Sequence, residues 1–104
     1  ETSEAVDNLD KILSVEELDA VYVGPSDLAV TMGYVPFTYE KEVEDCIKHI
    51  VETCKKYNIK AGIHCPDGKT VKERFEMGYD LGTISADAAL LTQASKREIA
   101  DAKK

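Results

Sequence analysis

Two carboxylates stand where strands of a parallel sheet would end. Glu1 opens the chain, and Asp27 follows a β-branched and aromatic run that stops at Gly24-Pro25, in the stretch YVGPSDLAVTMG. If Glu1 ends one strand and Asp27 follows the next, the two side chains are neighbours at one edge of the sheet. Two carboxylates without a Cys or a paired His suit a hard divalent cation such as Mg²⁺ or Mn²⁺. They would leave most coordination positions to water and substrate, as Lewis-acid catalysis requires.

Each acid alone has a simpler interpretation. Asp27 has the position of an N-cap residue at the start of a helix, and a glutamate at a chain terminus is usually a solvated charge. The metal hypothesis therefore depends on the two residues lying together. Two further positions, His64-Cys65 and Ser85-Ala86-Asp87, also lie at the ends of predicted strands, and the serine and acid of the second are typical of a helix cap.

The elements that must position these residues alternate between helix and strand. Apolar patterning predicts strands over 20–24, 59–65 and 81–85, and helices over 3–13, 27–32, 40–57, 69–77 and 88–103, the last with room for a break near 92–95. Strands that alternate with helices predict a parallel sheet with right-handed crossovers. The continuous apolar character of 20–24 predicts a strand covered on both faces. The fold class is therefore α/β.

Side-chain directions follow from the same patterns. In the helix over 69–77, Val71, Phe75 and Met77 are predicted to point inward. In the helix over 40–57, Glu44 is expected to face Lys48 at the supportive spacing of four residues.

The composition is that of an acidic globular protein. The chain has 104 residues, which indicates one domain, and its formal net charge is −7. An acidic surface argues against nucleic acid or an anionic membrane as a partner. No apolar run approaches the roughly 18 residues of a membrane span, and the first residues do not have the pattern of a signal peptide.

The three cysteines indicate neither a zinc site nor a disulfide scaffold. Their number is odd, and none of them forms a CxxC pair. Cys46 and Cys54 fall on the apolar stripe of the 40–57 helix, so we expect them to be small core residues. Cys65 is expected to be structural as well. A reducing, cytoplasmic setting fits this usage.

The length of the chain limits which architectures it can form. A (β/α)8 barrel needs roughly 250 residues, and 104 residues are a little under half of that. Because the chain begins where a strand has just ended, we interpret residues 1–104 as the C-terminal part of such a TIM barrel, with the N-terminal half absent. A small open α/β sandwich is the competing architecture.

Five stretches then carry a family resemblance. They are ETSEAVDNLDKIL, LDAVYVGPSDLAVTMGY, GIHCPDG, FEMGYDL and SADAALL. In order and spacing they resemble the HpcH/HpaI aldolase family, metal-dependent (class II) pyruvate aldolases of the phosphoenolpyruvate/pyruvate barrel superfamily. The resemblance covers nearly the whole chain, and the pair E-T-x-E-A and G-P-S-D-L is the specific part of it.

The resemblance implies a role for each site residue. The metal glutamate of the family matches Glu1, and its metal aspartate matches Asp27. The cation would be Mg²⁺ or Mn²⁺, with Co²⁺ as a further choice. Backbone groups of the turn, here at Ser26 and Asp27, would help to hold the carboxylate of pyruvate. His64 stands where the family usually has an apolar residue of the substrate pocket, so it either tunes aldehyde preference or is a hydrogen-bonded pocket histidine without a chemical part, which we favour.

The implied reaction is aldol chemistry. A pyruvate enolate would add to an aldehyde, or would form when a 4-hydroxy-2-oxo acid is cleaved, without a Schiff-base lysine. The last helix of the family packs across a subunit interface, which implies a homo-oligomer. Where Ser85 stands the family often has glycine, and this departure argues against close backbone approach at that turn.

Two family residues have no counterpart in this sequence. The catalytic histidine and the substrate-binding arginine of the family lie in its N-terminal half, and His64 and Arg74 do not match them. We therefore expect this chain alone to be inactive. Two alternatives stay open: a related lyase acting on an acyl-CoA or citrate-type substrate, and a non-catalytic half-barrel that serves in assembly.

Overall fold

The computed structural model describes residues 1–104 as nine elements. In chain order they are α1 (Ser3–Asp7), α2 (Leu9–Leu13), β1 (Ala20–Val23), α3 (Pro25–Thr31), α4 (Lys41–Lys56), β2 (Lys60–Cys65), α5 (Gly68–Met77), β3 (Leu81–Ile84) and α6 (Asp87–Ala102). No helix combines the length and the apolar character that crossing a membrane would need.

The three strands form one parallel sheet in the order β1-β2-β3. Val23 lies opposite Ile63 in the first pairing, and His64 lies opposite Thr83 in the second. The prediction of a parallel sheet is therefore confirmed. Because all strands run in one direction, the turns after β1, β2 and β3 meet at a single edge of the sheet.

The core lies between one face of the sheet and helices α2, α3, α4 and α5. Its largest fully buried side chains are Leu28, Ile47, Ile63, Val51, Cys54 and Cys65. Burial raises the pKa of the Cys54 and Cys65 thiols, so these cysteines are unreactive core residues, as expected. Cys46 is half-buried and packs against the same core.

The other face of the sheet is open within this chain. Tyr22 of β1 and Leu81 of β3 are 48% and 57% exposed. The prediction that the first strand is covered on both faces is therefore wrong for these 104 residues. Alternation along the strands sends Val23 to the helices and Tyr22 to the open side.

The segment predicted as one helix over 3–13 is two short helices that meet at Asn8. The Asn8 side chain donates a hydrogen bond to the carbonyl of Glu4 at 3.1 Å, and its backbone (φ −97°, ψ 13°) leaves the helical region. An asparagine that bonds the local backbone competes with helix propagation. The last helix, in contrast, is continuous, because residues 92–95 include no glycine or proline that would interrupt its ladder.

Two predicted side-chain directions are wrong for one shared reason. Arg74, which is 5% exposed, occupies the inward position of α5, and Phe75 is turned out with 49% exposure. The buried guanidinium requires a counter-charge, and Glu44 supplies it through bonds of 2.6 and 2.7 Å. Glu44 therefore faces Arg74 rather than Lys48.

The helix ends that lead into β2 and β3 have left-handed residues. Asn58 (φ 55°) follows α4, and the N–H of Ile59 returns to the carbonyl of Cys54 at 2.9 Å. Gly78 (φ 112°) ends α5 in the same manner. Ser85, after β3, also has a left-handed backbone (φ 56°), and its N–H donates to the carbonyl of Cys65 at 2.7 Å.

Candidate metal and substrate site

The turn after β1 places Asp27 in the first turn of α3. Gly24 is the N-cap residue, and Pro25 is the first helical residue, a position where a missing N–H costs nothing. The Asp27 side chain makes no capping hydrogen bond. The N-cap interpretation of Asp27 is therefore wrong. Its carboxylate lies at the positive end of the helix and leaves its oxygens available to a ligand.

Glu1 reaches the same turn. A Cβ atom placed on Gly24 would lie 3.3 Å from Oε1 of Glu1 and 3.4 Å from Oδ2 of Asp27. Oε1 of Glu1 and Oδ2 of Asp27 therefore both lie within 3.4 Å of one point. The two oxygens are separated by no more than about twice 3.4 Å. The structure brings the two acids together at the carboxyl edge of the sheet; their role as metal ligands stays a prediction.

One hydrogen bond ties the start of the chain to α3, and a second bond within α3 fixes its acceptor. The N–H of Ser3 donates to Oγ1 of Thr31 at 3.0 Å, and that hydroxyl donates to the carbonyl of Leu28 at 2.9 Å. The first helix is thereby anchored to the end of α3, which holds Glu1 beside the turn that contains Asp27.

The donor set fits a hard cation in an open site. Glu1 and Asp27 border a cavity of about 210 Å³, which also includes Tyr22, Gly24, Pro25, Ser26 and His64. The chain has no group of three or more His, Cys, Asp or Glu side chains that could enclose a metal. Two carboxylates are too few for a closed structural zinc site, and they match a cation that keeps water or substrate as its other ligands. The missing Cβ of Gly24 is what makes room between them.

Ser26 borders this cavity at the start of α3. The first hydrogen bond within that helix runs from the N–H of Leu28 to the carbonyl of Gly24 at 3.0 Å. The N–H groups of Ser26 and Asp27 precede it, so they lack helical partners and are free to donate to a ligand.

His64 belongs to a hydrogen-bonded chain across the three strands. Its Nδ1 lies 3.0 Å from Oγ1 of Thr83, and the same hydroxyl contacts the phenol of Tyr22. Thr83 has one proton to donate, so its hydroxyl accepts a hydrogen bond from at least one of these two neighbours. The imidazole is half-buried, with one ring nitrogen engaged, which fits a hydrogen-bonded pocket histidine.

Sequence reasoning missed the aromatic segment between α3 and α4. Phe37 and Tyr39 have left-handed backbones (φ 66° and 54°) and border a second, narrow cavity of about 30 Å³. We name it the outer cavity; its other lining residues are Pro25, Ser26, Ala29, Val43, Glu44, Ile47, His64, Pro66, Thr70 and Arg74. Alternating polar and aromatic residues in a loop give no periodic signal that would have identified it.

A family comparison identifies the family of this chain. The family model for HpcH/HpaI aldolase/citrate lyase matches residues 1–94. The chain therefore belongs to the HpcH/HpaI aldolase/citrate lyase family, as its motifs predicted.

Two curated relatives are named aldolases. The chain is 39% identical over 105 residues to a hydroxypyruvate/pyruvate aldolase of Rhizorhabdus wittichii, an alignment that covers 99% of this chain and 42% of the relative. It is 33% identical to a 5-keto-4-deoxy-D-glucarate aldolase of Klebsiella pneumoniae, over 98% of this chain and 40% of the relative. The chain thus spans about 40% of the length of these relatives.

Two solved structures share the fold of the whole chain. A HpcH/HpaI aldolase/citrate lyase family protein from Burkholderia cenocepacia superposes with a TM-score of 0.95 at 27% identity, over 100% of this chain and 40% of that one. The HpcH/HpaI aldolase from Desulfitobacterium hafniense gives 0.92 at 26% identity, with the same coverage. The prediction that the chain is part of a barrel-type α/β fold is confirmed.

Proposed function

We propose that the protein containing this chain is a metal-dependent aldolase that cleaves or forms 4-hydroxy-2-oxo acids through a pyruvate enolate. The observation that carries the proposal is the meeting of Glu1 and Asp27 around Gly24, at the sheet edge where barrel enzymes have their active sites. Membership in an aldolase/lyase family and the aldolase names of the relatives support it.

Each residue of the site has a distinct task in this proposal. Glu1 and Asp27 hold a divalent cation, Mg²⁺, Mn²⁺ or Co²⁺, and the N–H groups of Ser26 and Asp27 donate to the substrate carboxylate. When bound, the cation supplies Lewis-acid stabilisation of the negative charge that develops on the substrate. His64, held by Thr83, forms the adjoining wall. None of these residues is assigned as the catalytic base, so we expect the 104 residues alone to be inactive.

One alternative has direct support from the family description, which includes citrate lyase. A lyase acting on an acyl-CoA or citrate-type substrate would use the same pair of carboxylates. Turnover assays on the full-length protein separate the two: an aldolase consumes 4-hydroxy-2-oxo acids, and the alternative consumes the acyl-CoA thioester or the citrate-type acid. A non-catalytic assembly module would turn over neither.

The setting of the protein is part of the proposal. Three free thiols fit a reducing cytoplasm. The exposed apolar side chains of α6, namely Leu90, Leu91 and Ile99, fit a homo-oligomer in which this helix is covered. The acidic net charge argues against nucleic acid and anionic membranes as partners.

A Mn²⁺ titration tests the metal site. In the full-length protein, the double variant Glu1→Gln, Asp27→Asn is expected to bind Mn²⁺ at least about tenfold more weakly by calorimetry, a loss of about 1.4 kcal/mol or more. Glu17→Gln with Asp19→Asn is the matched control, because it makes the same change of charge at exposed acids outside the site. Equal affinity in the two double variants would contradict the proposal.

A further inference from the structure

The outer cavity adjoins the cavity between Glu1 and Asp27. Pro25, Ser26 and His64 line both of them. A molecule whose carboxylate lies at the N–H groups of Ser26 and Asp27 can therefore extend past Ser26 into the outer cavity, which the aromatic segment borders.

The aromatic segment is held in a costly conformation over this cavity. Phe37 and Tyr39 both have positive φ angles, which β-carbon-bearing residues adopt at a cost in free energy. Their side chains are 68% and 50% exposed, yet both border the cavity. A strained backbone and exposed aromatic rings do not contribute to stability. Their presence beside a site therefore indicates a functional role.

The polar end of the outer cavity has no cation to offer. Both terminal nitrogens of Arg74 donate to Glu44, and its Nε is buried without a partner and out of reach of a ligand. The remaining polar lining consists of hydroxyls, the His64 ring and the phenol of Tyr39. A carboxylate placed there would lose part of its hydration without gaining a free counter-ion, because the charges of Arg74 and Glu44 offset each other.

We infer that the outer cavity receives the substituent of the aldehyde, and that Phe37 is a specificity-determining residue. A volume of about 30 Å³, about the share of one water molecule in the liquid, limits the substituent to a very short one, and the neutralised Arg74 favours uncharged aldehydes over those that end in a carboxylate. This inference rests on the proposed aldolase function. It adds the substrate class, small uncharged aldehydes, and the residues that select it.

Two assays on the full-length protein with Mn²⁺ test the specificity inference separately from the proposed aldolase function. Exchange of the pyruvate methyl protons with D₂O reports the metal and pyruvate site alone. Aldol addition to propanal, hexanal and succinic semialdehyde reports the acceptor. The wild-type kcat/KM is expected to be at least fivefold higher with propanal than with succinic semialdehyde. Phe37→Ala is expected to raise the hexanal-to-propanal ratio at least fivefold, with unchanged methyl exchange.

Val35→Ala is the matched control, because Val35 is 69% exposed in the same segment and does not line the outer cavity. Phe37→Leu, a milder change, should give an intermediate ratio. If Phe37→Ala and Val35→Ala have the same acceptor profile while methyl exchange persists, the inference is wrong and the aldolase function stands. A wild-type preference for succinic semialdehyde would overturn the charge argument, and absence of methyl exchange in the wild type would overturn the function and the inference together.

Discussion

At the scale of single residues, the missing side chain of Gly24 determines how closely Glu1 and Asp27 approach each other. The backbone of Gly24 (φ −105°, ψ 92°) lies in a region open to any residue, so its torsion angles do not require glycine. The requirement is spatial: a Cβ there would lie 3.1 Å from Cγ of Glu1, tighter than ordinary contact.

Gly24→Ala is therefore expected to weaken the candidate metal site without unfolding the protein. The added methyl group would push the two carboxylates apart, and Mn²⁺ affinity should fall about tenfold, or about 1.4 kcal/mol. The urea midpoint should change little, since the backbone accommodates alanine. Gly68→Ala is the control, because its Cβ would meet nothing closer than 4.0 Å. Wild-type Mn²⁺ affinity in Gly24→Ala would contradict the expected crowding.

Individual roles were predictable from sequence only where a motif fixes them. Glu1 and Asp27 were placed together by the strand-end rule and by the family motifs, and the structure agrees on their proximity. Arg74 was missed because helical periodicity marks an inward position but not the charge that can fill it. The partner that makes its burial possible, Glu44, lies 30 residues away in sequence.

At the scale of elements, β3 and α5 pack closely because β3 has a glycine on its helix-facing side. Gly82 lies opposite Ile63 and faces Val71 of α5. A Cβ on Gly82 would lie 2.7 Å from Cγ1 of Val71, a distance that real contacts do not show. The close approach of this helix sets the position of the turn between β2 and α5.

Gly82→Ala is expected to destabilise the fold by about 1–3 kcal/mol, as overpacking in a core typically does. Urea unfolding of the full-length protein measures the change. Gly68→Ala again serves as control and should stay within about 0.5 kcal/mol of wild type, since its added methyl group would make only an ordinary contact at 4.0 Å. Equal stability of the two variants would contradict this prediction. It would show that α5 shifts to accommodate the added methyl group without a loss in the free energy of unfolding.

Most elements were predictable because their apolar period is strong. The helix over 40–57 has six buried residues along one stripe, and the strand over 59–65 is apolar except at Lys60 and His64. The division at Asn8 was not predictable, because the residues on both sides of it continue the helical spacing. A single side-chain hydrogen bond to the local backbone outweighs that pattern.

At the scale of the whole molecule, the chain is extended. Its principal dimensions are 56 × 27 × 21 Å and its radius of gyration is 16.1 Å, against about 13 Å for a compact domain of 100 residues. The cause is α6, which has no buried residue, together with the open face of the sheet. The barrel-type fold explains the open face, because in a complete barrel that face is the interior.

Hydrogen exchange of the isolated 104-residue chain tests this description. Helices α4 and α6 each have 16 residues, but α4 has six buried residues and α6 has none. Amides of α6 are expected to exchange at least about a hundredfold faster than those of α4, because an unpacked helix of this length is marginal in water. Equal protection of the two helices would mean that α6 is packed in solution, against another part of the chain or against a second copy.

How much of the molecule the sequence could predict at this scale depended on length. Three strand-helix units in 104 residues are too few to close a barrel, which predicted an incomplete one. The assignment to the C-terminal half stays a prediction, since the comparisons give coverage of about 40% without placing it. The openness of one sheet face was not predictable, because buried and open strands have similar apolar runs.

The left-handed backbone of Ser85 limits which mutations this position can accept during evolution. Its φ of 56° suits glycine best and is open to serine at a modest cost. Exchange between glycine and serine therefore changes the backbone energy of this position only modestly. Serine in place of the glycine that the family often has leaves the turn after β3 intact. Valine or isoleucine would meet a steep barrier there, because β-branched side chains disfavour this conformation most. Variation at this turn should therefore favour glycine, serine and asparagine and avoid β-branched residues.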